Sequence, residues 1–493
     1  MAVLTPSSHR IALGLLLAAT LLAYANAFTG AFQFDDTAVV LDDPHLADLA
    51  TFGAHLDHTI RPLVKLTFLI DRRLYGDHPA GYHLLNLFFH MGSGLLLYRL
   101  LRSAGTMTTP SPGQERVAVP FWATLLFLLH PIGTETVTYI SGRPTGMMTF
   151  FYLAALSLYL RAVSEEAPGR RFTWHYWGAL LCFVSALLSK EVAVTLPVTL
   201  LLWELIIRRR RSEPLGAFIR RHLPVWLPFW GILLLAGWVG WSHPQYAFLA
   251  RYSLELRPLT ENLLSQINAV AYALSLFVWP ARLNFDHDLP LYHSITDWPT
   301  PFSLALLTGL LVMAYRSVKR RPFVSVGLLW FFVTLAPTNS LMPRYDLLSE
   351  RNLYLPSIGL FLATAALLDG AATTLFDRLT HRLRHASRAV VIGRRAIQLL
   401  PLAIIALLVL STNNRNMVYA DQVAFWSDAA GKSPRKARAH NNAGYAYHLA
   451  GDFDRAIEHY RTALSLNPDS EIARENLRQV WAMKKNRIDR RPD

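Results

Sequence analysis

Twelve stretches of this chain are apolar for nearly as long as a lipid bilayer is thick, and that pattern limits the fold before any motif is read. A crossing helix needs about 18–20 such residues. Backbone in lipid must satisfy its own hydrogen bonds, which a helix does within one segment. The runs are 11–28, 83–101, 118–135, 144–161, 174–189, 192–207, 223–241, 262–280, 301–316, 322–338, 353–369 and 397–412. The expected fold class is all-α, a polytopic membrane domain. Composition agrees, since 17% of the 493 residues are charged and 52% hydrophobic, against about 25% charged in soluble domains. The mean hydropathy is +0.25.

The net charge of +14 fits basic cytoplasmic loops. No compact basic domain exists to carry a nucleic-acid role. The one cysteine, Cys182, lies inside an apolar run and reads as a small hydrophobe. His9, Arg10, the first apolar run and "ANA" (25–27) imitate a signal peptide. With so many runs following, we read this segment as a retained first helix.

Basic clusters place the loops. They are Arg99 with Arg102, Arg170 with Arg171, "RRRR" (208–211), Arg220 with Arg221, "KRR" (319–321) and the arginine-rich stretch 370–396. A walk outward from a cytoplasmic N-terminus agrees with them through the seventh run. Three runs then separate two clusters that should share a side, so one run should not cross. The segment 262–280, between "RPLTEN" and "WPARLNFDHD", is expected to be re-entrant or interfacial, leaving eleven spans. The outside loops are then 29–82, the tight turn around 136–143, 189–191, 242–300 and 339–352. They gather Asp35, Asp36, Arg61, Glu135, Arg143, Lys190, Glu191, Asp286, Asp288, Glu350 and Arg351. A charge costs about 2.5–3.5 kcal/mol at the centre of a spanning helix. Charges set flush against apolar runs therefore read as paired, or as lining a wet cavity.

Residues 437–470 fit the tetratricopeptide (TPR) period of about 34 residues. Gly444 permits close helix packing, Tyr447, Ala456, Tyr460 and Ala463 sit at the expected spacings, and Pro468 closes the second helix. Pro434 and Ala429 lie one period earlier, so 421–434 reads as half of a degenerate repeat, and 471–485 reads as a capping helix. A stack normally needs about three repeats, so this one should lean on the membrane domain or on a partner. The expected division is a membrane domain over 1–415, a TPR module over 416–485 and a basic tail over 486–493.

"FDD" (34–36), "RPL" (61–63), "GYHLLNLFFH" (81–90), "HPIGTETVTYISGR" (130–143), "SKEVAVTLP" (189–197), "DHDLP" (286–290) and "SERNLYLPSIG" (349–359) occur in that order. This ordered set, followed by a TPR, resembles the TPR-containing O-mannosyltransferases (the TMTC family) and their bacterial relatives, in the GT-C glycosyltransferase superfamily. The resemblance covers about residues 28–369 and the TPR tail. It implies a GT-C-type membrane domain, a polyprenyl-phosphate-linked sugar donor, a hydroxyl acceptor, and chemistry on the extracytoplasmic face. For a bacterial member that face is periplasmic, with the chain in the inner membrane. It also implies a catalytic acidic pair in the first outer loop, here Asp35 and Asp36. The family's "GRA" is "GRP" here, keeping Arg143. Its "AERVLYIPS" is "SERNLYLPS", keeping Glu350, Arg351 and Tyr354, and its late DWS-type motif is "DHD".

Such a transfer needs a carboxylate to take the hydroxyl proton and fixed positive charge for the leaving phosphate, which arginine supplies as a fork. Asp35 is expected to be the base and Asp36 its alternate or positioning partner. Adjacent carboxylates push their pKa values apart. Arg351 is the first candidate for the donor phosphate, followed by Arg143, Arg61 and Lys190. Glu135, Glu191, Glu350, Tyr354, Asp286 and Asp288 are expected as supporting polar groups, with Glu135 orienting a neighbour rather than reacting. The alternative for each basic residue is a structural ion pair: Arg351 with Glu350 or Asp346, Lys190 with Glu191 or Glu135. "DHD" imitates a metal-binding DxD, but such motifs sit in soluble α/β domains, and no metal site is assigned. A divalent cation at the acidic pair is the single cofactor in view. The expected partners are the lipid-linked sugar, membrane lipid and an acceptor protein or peptide held by the TPR. Transfer to a glycolipid or envelope polysaccharide, and a non-catalytic scaffold presenting the TPR, remain as rivals. A transporter would show inverted repeats with broken helices, and no such symmetry is seen.

Overall fold

The structure is a computed structural model that describes residues 6–108, 118–164, 173–209, 212–382 and 389–489. Arg170, Arg171, Arg210, Arg211, residues 383–388 of the arginine-rich stretch and the end of the basic tail lie outside the described residues. The elements run α1 (Pro6–Ala23), α2 (Leu49–Ala54), α3 (Pro62–Tyr75), α4 (Pro79–Thr108), α5 (Ala118–Leu129), α6 (Thr134–Val137) and α7 (Arg143–Ser164). Then come α8 (Trp174–Leu187), α9 (Leu196–Trp203), α10 (Leu215–Ser242), α11 (Pro244–Leu256), α12 (Leu259–Val278), α13 (Thr300–Ser317) and α14 (Pro322–Leu335). The chain ends with α15 (Tyr354–Arg382), α16 (Ala389–Asn416), α17 (Gln422–Lys432), α18 (Ala437–Leu449), α19 (Phe453–Leu466) and α20 (Glu471–Asp489). There is no β-strand among the described residues.

The chain is a multi-pass membrane protein by length and apolarity. Among the described residues, five segments are long and apolar enough to cross: His9–Thr29, Pro79–Gly105, Ile140–Ser164, Leu215–Ser242 and Glu350–Thr374. Three shorter apolar helices, Ala118–Leu129, Trp174–Leu187 and Pro322–Leu335, pack among them. Two expected spans are interrupted. The run 118–135 stops being helical at Leu129, because Pro131 cannot accept a helical predecessor, and a 3-10 turn (Pro131–Gly133) follows. The run 192–207 becomes a 3-10 turn, the eight residues of α9 and a π-turn over Glu204–Arg208. The tightest crossing is between α14 and α15. A Cβ at Gly327 would lie 2.4 Å from the carbonyl oxygen of Gly359, so the two backbones touch there.

Most of segment 262–280 lies in α12, an unbroken helix that ends at Val278, with Trp279 and Pro280 in the turn beyond it. Its start donates from Asn262 Nδ2 to the carbonyl oxygen of Ser340 at 2.7 Å. Just past its end, the Asn284 N–H is bonded by Glu350. Both flanks therefore meet the loop that carries Ser340 and Glu350.

The C-terminal helices form the TPR module. An added Cβ at Gly444 would meet Tyr460 Cδ1 at 2.8 Å, so α18 and α19 pack as closely as glycine allows. Gly451, with φ of +78°, turns the chain between them. The module docks on the membrane domain. Arg438 forks onto Asp286 at 2.9 and 2.6 Å and reaches Asp346 at 2.8 Å. Lys436 pairs with both carboxylates, and Arg435 pairs with Asp288 at 3.0 Å. Beneath these pairs, Tyr139, Tyr419, Phe425 and Trp426 share one apolar cluster with α18, and Phe285 packs against it.

Candidate active site

All five loops expected outside contribute to a single cavity of about 530 Å³ at one end of the helix bundle. Its walls include Asp35, Arg61, Lys65, Ser141, Thr145, Lys190, Glu191, Gln245, Arg344, Arg351 and Asn352. Two non-glycine residues adopt positive φ among the described residues, Phe34 at 41° and Arg61 at 56°, and both belong to this region. Such backbone persists only where its surroundings over-determine it.

Asp35 faces the cavity. Its backbone N–H donates to the Tyr139 hydroxyl at 3.1 Å, and among the described residues no group bonds its carboxylate. Asp36 is turned inward and wholly buried. It accepts from the backbone N–H groups of Gln33 at 2.9 Å and Ser141 at 2.7 Å. Burial pushes its carboxyl up to about 7 against those hydrogen bonds, and repulsion from Asp35 is the smallest contribution. The two acids thus differ by environment more than by mutual repulsion. With Asp36 outside the cavity, the pair cannot jointly grip a cation. No cluster of three or more histidine, cysteine or acidic side chains suited to a metal occurs among the described residues.

The opposite wall is cationic. Arg61 forks onto Glu191 at 3.1 and 2.9 Å, and the Tyr246 hydroxyl donates to the same carboxylate at 3.1 Å. Burial would raise Glu191, but Arg61 draws it down to about 2, so it stays ionised. Lys190 donates from Nζ to Thr145 Oγ1 at 2.8 Å and Asn352 Oδ1 at 2.9 Å. Burial, and then the charges of Arg61, Arg351 and Arg344, hold its ammonium well below the usual lysine range. Burial lowers Arg344 too, with Arg61 and Arg351 adding to the effect against Glu191. Among the described residues neither Lys190 nor Arg344 has a carboxylate within ion-pair distance. Arg351 projects from a 3-10 turn (Glu350–Leu353). That turn is fixed by Glu135, which accepts from Ser349 Oγ at 3.0 Å and the Arg351 N–H at 2.9 Å. The Arg351 guanidinium lies 3.5 Å from Glu135. Its partner is therefore neither Glu350 nor Asp346, and Glu135 orients it.

The remaining expected residues lie elsewhere. Arg143 is fully buried, paired with Asp71 at 2.6 Å and bonded to Asn86 Oδ1 at 2.8 Å, and it does not reach the cavity. Glu350 is buried between His287 at 3.0 Å and Arg415 at 3.8 Å. The Tyr354 hydroxyl bonds His90 Nδ1 at 2.6 Å within the helix bundle. Asp286 and Asp288 hold the TPR module. Sequence reasoning passed over Arg344, Asn352 and the Lys65–Asp43 pair that also lines the cavity. Arg344 stands seven residues before Arg351 in the same loop, the signal that could have found it.

Residues 437–470 match the tetratricopeptide repeat family. The chain is 24% identical to protein O-mannosyl-transferase Tmtc3 of Drosophila melanogaster over 94% of this chain and 56% of that one. It is 24% identical to protein O-mannosyl-transferase F38B6.6 of Caenorhabditis elegans over 93% of this chain and 63% of that one. It is 27% identical to human protein O-mannosyl-transferase TMTC2 over 60% of this chain and 38% of that one. The chain thus spans about half the length of these curated relatives. A solved oligosaccharyltransferase of Archaeoglobus fulgidus, tethered to an acceptor peptide, aligns at 14% identity with a TM-score of 0.38, covering 80% of this chain and 50% of that one. That score is too low to bear on the fold. Along nearly its whole length, and with a repeat near its end, the chain is similar to the TMTC protein O-mannosyl-transferases.

Proposed function

We propose that this protein transfers a hexose from a polyprenyl-phosphate carrier to a serine or threonine hydroxyl of a protein, on the extracytoplasmic face. One observation carries the reading. The cavity brings one unbonded carboxylate, Asp35, together with five basic side chains, Arg61, Lys65, Lys190, Arg344 and Arg351, and among the described residues Lys190 and Arg344 have no carboxylate within ion-pair distance. A neutral sugar would leave that charge unanswered, whereas a phosphodiester supplies the missing anion. The relatives' names agree with glycosyl transfer to protein.

In this reading the acceptor hydroxyl attacks the anomeric carbon, and the bond from that carbon to the phosphate oxygen breaks. Asp35 takes the hydroxyl proton. The polyprenyl phosphate leaves onto Arg351 and Arg344, whose charges are fixed before reaction, with the Lys190 Nζ as a further donor. Arg61 is held by Glu191 and shapes the wall. Its fork is already occupied, so it contributes field more than direct bonds.

The test uses full-length protein with polyprenyl-phosphate mannose and a serine/threonine peptide. Asp35→Asn should lower kcat by about 100-fold or more, and Arg344→Ala should raise the donor KM about tenfold. Turnover of Asp35→Asn at the wild-type rate would remove Asp35 as the base. Transfer to lipid acceptors alone would assign the glycolipid alternative.

A further inference from the structure

We propose that the TPR module is part of the catalytic apparatus, and that Trp426 of α17 is a positioning residue for Asp35. This rests on the reading of Asp35 as the base. Phe34, immediately before it, has a φ of 41°. A residue with a Cβ holds that conformation only under external constraint. The constraint is a pair of rings set edge-on: Trp426 at 5.2 Å and Phe285 at 5.9 Å. Trp426 is 4% exposed and packs on Phe425 at 5.2 Å, so it cannot swing away from Phe34 without opening the apolar cluster.

Three further contacts bind the same segment to the C-terminal region. Gln33 Nε2 donates to the carbonyl oxygen of Tyr419 at 3.2 Å, and the Ala31 N–H donates to it at 3.3 Å. Tyr139, whose hydroxyl accepts the Asp35 N–H, faces Phe425 with ring centroids 6.5 Å apart. The backbone from Ala31 to Asp35 is therefore set by residues nearly four hundred positions later (386 for the Gln33 bond). A module that merely presented an acceptor would have no reason to seal itself against this loop.

The experiment combines amide hydrogen exchange with kinetics on the full-length protein, using polyprenyl-phosphate mannose and a serine/threonine peptide. Trp426→Ala should speed exchange at residues 33–36 about tenfold. It should also lower kcat about tenfold or more, with the donor KM within about threefold. Trp426→Phe should restore both, since a ring remains. Should Trp426→Ala fail to accumulate, Phe34→Gly against Phe34→Ala carries the same test. Glycine adopts positive φ freely, so the glycine variant should keep the higher kcat. Unchanged exchange at 33–36 in Trp426→Ala, or no advantage of Phe34→Gly over Phe34→Ala, overturns the inference. Faster exchange with unchanged kcat, where Asp35→Asn is inactive, also overturns it. If Asp35→Asn itself keeps activity, the base assignment fails, and the exchange result still decides whether Trp426 holds the segment.

Discussion

A carboxyl buried as completely as that of Asp36 loses more by desolvation than the N–H groups of Gln33 and Ser141 return, so it titrates at about 7 and not near 3.8. The sign of the consequence follows. Between about pH 4 and about pH 7 the folded protein keeps this proton while the unfolded chain has released it. Stability from this group is therefore greatest at the acid end and falls as pH rises through that window. Asp36→Asn should flatten that fall, read as the change in apparent melting temperature of purified protein between pH 5 and pH 8. An unaltered slope would mean that Asp36 is not the group titrating. Arg143 makes a parallel case. Its guanidinium is sealed against Asp71, and removing one partner of a buried pair costs about 3–5 kcal/mol. Arg143→Ala should thus lose stability while the surviving folded fraction keeps its donor KM. A stable variant with a raised donor KM would return Arg143 to the phosphate site. Neither outcome is legible in the sequence. "FDD" and "GRP" display their charges identically whether those charges meet solvent or a buried partner.

At the scale of elements, α12 shows how a hydrophobic run can mislead. The run 262–280 reads as apolar in the sequence, but α12 is not one of the five segments apolar enough to cross. Asn262, Ser265, Gln266 and Asn268 lie on its buried side and bond to loop and helix-end residues on neighbouring elements. A helix crossing lipid would have little use for four polar groups in its first ten residues. The segment following it, which carries Asp288, should therefore stay on the TPR side of the membrane. In a Cys182→Ser background, Arg251→Cys before α12 and Asp288→Cys after it should react with a membrane-impermeant maleimide from the same side. Labelling of the two positions from opposite sides would require α12 to cross. The failed parity of the basic loops already pointed to this segment, whereas the unbroken helix could be seen only in the structure.

At the scale of the whole molecule, a repeat stack too short to stand alone is completed by the membrane domain. Arg438 carries the bond most open to test, since it joins α18 to Asp286 and Asp346 on two different loops. Arg438→Asp places like charges together and should release the module, raising its proteolysis rate about tenfold. Adding Asp286→Arg should restore much of the resistance by exchanging the charges. Equal protease sensitivity in all three proteins would show that the aromatic cluster docks the module without these pairs.

The sequence by itself determined the helical character of the apolar runs, the repeat at 437–470 and the acid at position 35 in a polar loop after the first apolar run. Hydrophobic periodicity, repeat spacing and loop charge are local properties that a linear reading captures. The tertiary structure alone decided which charges face the cavity and which are consumed in ion pairs. Glu135 meets Arg351 across 216 positions, and Arg438 meets Asp286 across 152. Whether a charged group is a ligand or a strut depends on burial and on its partner. Both are set by how loops distant in sequence converge, which no window along the chain contains.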